Sequence, residues 1–150
     1  MRESLRAILT LALLLPGPLA CRSDKPAARV QKAFDACRAA VEAGDALAAT
    51  EPLDPDFRGP DGLDKGTARL FLLGLFRQER VGVTVLRNDL APRGREVLQE
   101  VDLLLTGRGR GLLPQEASRR RFQLRWRPAG NHYRLLELRD LDSPTLQERP

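Results

Sequence analysis

The sequence predicts an α+β domain, with helices gathered on one side of a curved antiparallel sheet. Two observations carry this. Apolar residues recur at helical spacing between residues 27 and 79, and after Arg80 the period switches to two. Helices first and long strands afterwards is the order of an α+β layout. At 150 residues the chain is long enough for one domain with its own core.

The N-terminus is set apart from that domain. Arg2 and Arg6 precede the apolar run Ala7–Leu15, and Pro16-Gly17-Pro18 and Leu19-Ala20-Cys21 follow. Charge, apolar stretch, breaker and small residue make a secretory signal peptide over residues 1–20. The run is shorter than the roughly 20 apolar residues that a membrane span requires. Residues 21–27 form a short tether. Loss of Arg2, Arg6 and Glu3 lowers the net charge from +5 to +4. A basic domain of this kind suits an anionic surface, and export speaks against nucleic acid as a partner.

The elements follow in order. Val30, Phe34, Cys37 and Val41 share one helix face over 27–43, which Gly44 closes as a left-handed cap. Asp45 caps a second short helix, 46–50. Residues 52–63 are rich in Pro, Gly and Asp and read as turns around a brief strand at 56–58. Asp64 caps a third helix, 65–79, whose apolar face comprises Leu70, Leu72, Leu73, Leu75 and Phe76.

Val81, Val83 and Val85 open the first long strand, and Ala91–Gly94 turns it. The run 96–106 sets Val97, Val101, Leu103 and Leu105 against Glu100 and Asp102. A glycine-arginine loop, 107–111, follows. Strand 119–127 turns Phe122, Leu124 and Trp126 one way and Arg121, Gln123, Arg125 and Arg127 the other. A turn at 128–131 leads to a last strand, 132–141, and residues 142–150 form a loose tail.

The segment before Cys21 resembles the lipobox of bacterial lipoproteins, with Pro18 where Leu is usual. That resemblance implies a diacylglycerol-modified, N-acylated Cys21 and an anchor at the periplasmic face of the outer membrane; cleavage by an ordinary signal peptidase is the alternative. Residues 28–141 resemble the nuclear transport factor 2-like (SnoaL-like, cystatin-like cone) superfamily. The resemblance lies in Phe34–Asp45, Asp54–Gly59 and the closing hairpin Phe122–Arg127 with Asn131–Leu136. It implies a cone with a pocket at its open end and a homodimer through the open sheet face. It leaves the activity open, because this fold hosts isomerases, cyclases, dehydratases and non-catalytic binders.

Three readings of function follow. The leading one is a lipid-anchored envelope protein that binds a small apolar ligand or a partner protein without catalysis. The second is an acid–base enzyme of the same fold, for which Asp56, Glu100, Asp102 and His132 are the pocket candidates. His132 and Tyr133 are adjacent on a strand, so they face opposite ways and cannot act as a pair. The third is a structural lipoprotein that meets anionic headgroups through Arg121, Arg125 and Arg127, since guanidinium forks suit phosphate. In the bland reading these arginines pair across strands with Glu100 and Asp102. With Cys21 lipidated, Cys37 has no disulfide partner and reads as a small buried hydrophobe. The ligand count speaks against zinc, and no motif calls for a cofactor.

Overall fold

The computed structural model describes residues 25–109 and 117–143. The expected signal peptide, Cys21, most of the expected tether and residues 110–116 and 144–150 lie outside the described residues. Helix α1 (Pro26–Ala43) starts with proline at its first position, where no backbone N–H is needed. It ends on Gly44 at φ 71°, and the Gly44 N–H returns to the Ala40 and Val41 carbonyls. Helix α2 (Ala46–Thr50) is capped by the Asp45 carboxylate, which accepts from the Ala48 N–H at 2.9 Å. Helix α3 (Lys65–Gln78) opens on a reciprocal cap. Asp64 accepts from the Thr67 N–H, and Thr67 Oγ1 accepts from the Asp64 N–H.

Strands β1 (Leu53–Arg58), β2 (Glu79–Arg93), β3 (Glu96–Gly109), β4 (Ser118–Ala129) and β5 (His132–Asp140) form one sheet. Its order is β1-β5-β4-β3-β2, antiparallel except where β1 runs parallel to β5. The sheet is therefore mixed rather than wholly antiparallel. β1 pairs with the last strand, β5, and so forms the edge opposite β2. The β2–β3 hairpin turns at Gly94 and Arg95, and residues 91–93 extend the strand. Residues 107–109, expected in a loop, belong to β3.

Two irregularities bend the sheet. The register slips between Val85 and Arg87 on β2, and between Arg125 and Trp126 where β4 meets β5. An extra residue in one strand bends it and reverses its faces. After Leu86, Arg87 opposes Asp102 while Asn88 opposes the buried Val101. After Leu136, Glu137 opposes Arg125 and Leu138 opposes Leu124. The bent sheet wraps a core of Val30 and Phe34 from α1, Leu53 and Phe57 from β1, and Val97, Val101, Leu124, Trp126, Tyr133 and Leu135 from the long strands.

Helix α3 is covered on one side only. Ala68 and Leu75 are buried, but Leu70, Phe71 and Leu73 stand largely in solvent. The expected broad apolar face thus packs over part of its width. Among the described residues, no helix is long and apolar enough to cross a membrane.

Candidate functional site

The helices do not fill the hollow of the sheet. Between them and its inner face lies a cavity of about 290 Å³, close to the lower end of small-molecule sites. Phe34 and Val41 of α1, Phe71 and Leu72 of α3, and Val101 and Trp126 of the sheet all border it. Phe71 is 58% exposed, so it stands where the cavity meets solvent.

The polar groups on this wall are few and mostly satisfied. The Thr50 hydroxyl donates to the Ala46 carbonyl at 2.8 Å and accepts from Arg69 Nε at 3.1 Å. The Cys37 thiol donates to the Ala49 carbonyl at 3.2 Å, and burial pushes its pKa up to about 11. A thiol held protonated at neutral pH is a poor nucleophile; the residue as a whole is half-buried rather than buried as expected. Arg38 is the one charged residue among the described lining; its Nε is enclosed without a hydrogen-bond partner.

None of the four expected pocket residues borders this cavity. Asp56 stands on the opposite sheet face, 72% exposed at its side chain, and receives Arg127. Glu100 is exposed and accepts from Gln123 Nε2 at 3.2 Å. Asp102 is buried, yet on the outer face, paired with Arg119. His132 is exposed beside a separate cleft at α1. Strand parity is the cause: the even-numbered β3 residues oppose Arg121 and Gln123, outward-facing positions of β4. Tyr133 points inward, is 8% exposed, and its hydroxyl lies 3.4 Å from the Arg95 carbonyl.

The arginine ladder is real as a row and occupied as chemistry. Arg121 grips Asp142, Arg125 lies between Glu96 and Glu137, and Arg127 bonds Asp54 and Asp56. These are not the pairings with Glu100 and Asp102 that cross-strand geometry suggests. Asp102 instead receives the diagonal Arg119. Asp142, the first residue of the expected loose tail, accepts from the Arg121 backbone N–H at 2.7 Å. Burial raises the Asp54 carboxyl, but hydrogen bonds from Arg127 and the Asp56 backbone outweigh it and hold it below the usual carboxylate value. A face whose guanidiniums are matched by carboxylates offers little to phosphate.

Sequence reasoning missed a chain of side-chain amides that is buried at its Trp126–Gln99 end. Trp126 Nε1 donates to Gln99 Oε1 at 2.9 Å, Gln99 Nε2 to Asn88 Oδ1 at 2.9 Å, and Asn88 Nδ2 to Gln31 Oε1 at 2.6 Å. It ties β4, β3, β2 and α1 together. The available signal was Gln99 itself, a polar residue at an inward position between Val97 and Val101.

No protein-family model matches the chain, and no curated protein matches it. Solved structures do. An NTF2-like protein of unknown function from Pseudomonas putida is 12% identical, with a TM-score of 0.64 over 81% of this chain and 89% of its own. A candidate scytalone dehydratase from Novosphingobium aromaticivorans is 10% identical, with a TM-score of 0.65 over 75% and 81%. An NTF2-like protein from Cytophaga hutchinsonii is 13% identical, with a TM-score of 0.58 over 73% and 91%. The fold is the nuclear transport factor 2-like cone. At these identities the likeness concerns the fold, which serves dehydratases and proteins of unknown function alike.

Proposed function

We propose that this chain is an exported lipoprotein, anchored through Cys21 at the periplasmic face of the outer membrane, whose cone holds a small apolar ligand without acting on it. The observation that supports this is the wall of the cavity. Among the described residues it is apolar nearly throughout and carries no carboxylate, imidazole or phenol. An acid–base enzyme needs an ionisable group beside its substrate with a tuned pKa. The groups that could serve point away from the cavity, and the enclosed thiol is held protonated. Apolar burial alone is enough to retain a small hydrophobic molecule in such a space.

Two measurements test the two halves of the reading. Labelling with a palmitate analogue should mark the wild type and leave Cys21→Ala unmarked; an unlabelled wild type ends the anchoring half. The uncharged fluorophore N-phenylnaphthylamine should bind saturably at one site, and Ala68→Phe, which fills the cavity wall, should abolish that site. Binding that never saturates, or that survives Ala68→Phe in a folded protein, ends the ligand half.

A further inference from the structure

The β4 arginines Arg121, Arg125 and Arg127 are paired, but a second basic group is not. A cleft of about 620 Å³ runs along the N-terminal half of α1, between that helix, the Glu51-Pro52 link and the start of β5. Arg29 and Lys32 border it from α1, and Arg134 from β5. None of these three cations has an ion pair or side-chain hydrogen bond among the described residues. Among the described residues Glu51 is the one carboxylate on the wall, so their charges sum to a positive value even with His132 neutral. Lys65 adds to the field from behind, where its ammonium donates to the Glu51 and Leu53 carbonyls.

Three cations border one concavity without an ion pair among the described residues, although Arg134 also feels the Asp54 carboxylate. Such a group makes an anion site of the sort that phosphate oxygens fill. The site also has a place relative to the membrane. α1 begins at Pro26, five residues after Cys21. Five extended residues span at most about 17 Å. An anchor at Cys21 therefore holds the first turns of α1, and with them Arg29 and Lys32, within reach of the headgroup layer.

We infer that this cleft docks on the phosphates of anionic phospholipid and sets the orientation of the domain on the membrane. The inference rests on the anchoring reading for its geometry and on the unpaired cations for its chemistry. Each basic residue held near an anionic surface favours docking by about fivefold. Removing the three should therefore weaken it by about a hundredfold.

Hydrogen exchange on the mature protein, in vesicles of phosphatidylcholine alone and with added phosphatidylglycerol, tests this. Residues 26–36 and 129–134 should exchange severalfold more slowly with phosphatidylglycerol present, and the protection should fade as salt rises. Combined Arg29→Gln, Lys32→Gln and Arg134→Gln should remove the effect. Lys32→Arg should keep it, as should Arg121→Gln with Arg125→Gln on the paired face. Equal exchange in the two lipids, or protection that survives the triple change, overturns the inference. The fate of the anchor is read separately. If the wild type carries no lipid, the anchoring reading falls, and the same exchange comparison with vesicles added to the unanchored protein still decides whether the cleft engages phosphatidylglycerol.

Discussion

Replacing Gln99 by leucine removes the acceptor from Trp126 while nearly keeping the volume of the side chain. Gln99 is 0% exposed and Trp126 1%, so no water can take the place of Gln99 Oε1. The indole N–H, now bonded at 2.9 Å, is left without a partner in an apolar surrounding. An orphaned buried donor costs about 1–3 kcal/mol. Asn88 also loses a donor, but it is only half-buried and keeps its bond to Gln31. A total near 2 kcal/mol follows, and it should lower the urea midpoint by about 1 M at unchanged slope. Circular dichroism is the assay, because the control variant Trp126→Phe removes the only tryptophan. With no indole to orphan, Gln99→Leu should cost at least about 1 kcal/mol less in that background, a coupling expected of side chains in contact. A cost below about 0.5 kcal/mol in the wild type, or equal costs in both backgrounds, would refute the reasoning.

Other outcomes can be stated briefly. Acid should destabilise the fold through Asp54, Asp64 and Asp142, whose carboxyls are all held below their usual values. Their contribution is complete above the unfolded carboxylate value of about 3.9 and is lost as pH falls through the lower folded values. Urea midpoints taken downward from pH 5 should show this, with a shallower acid slope in Asp54→Asn. Gly44→Ala should cost about 1 kcal/mol. A new Cβ there meets nothing closer than Phe76 at 3.8 Å, so the backbone at φ 71° is the whole penalty, read by thermal unfolding. Arg38→Met should stabilise the ligand-free protein by about 1 kcal/mol, because it removes an enclosed, unpartnered N–H. Cys37 should react slowly with a thiol reagent at neutral pH and quickly only in denaturant, as followed by mass spectrometry of the labelled peptide.

The elements were legible where local chemistry decides them. Gly44, Asp45 and Asp64 mark helix ends through capping, which depends on neighbours three or four residues away. Phe122, Leu124 and Trp126 alternate on one strand with no interruption, and their inward face was readable. The parallel seat of β1 was not, because pairing with β5 joins residues about eighty positions apart. The slips at Leu86 and Leu136 were equally hidden. Each absorbs one residue, and no residue type announces it.

At the site, the mismatch has the same origin. Asp102 and Arg121 oppose each other in register, yet each pairs with a residue off that line. Choice among several carboxylates depends on side-chain reach, which spacing along the chain does not encode. The cavity itself was expected only through resemblance to the cone. Its wall residues come from α1, α2, α3, β1 and the four long strands, so no short motif could have outlined it.

The account turns on whether that cavity takes a ligand, and Trp126 reports on it directly. It is the only tryptophan, it is buried, and it borders the space. A brominated alkanol quenches an indole only on contact. Titration into the wild type should quench Trp126 strongly and saturate at one equivalent, while folded Ala68→Phe should show weak quenching without saturation. Equal, unsaturable quenching in the two proteins would contradict the assignment of the cavity as a ligand site.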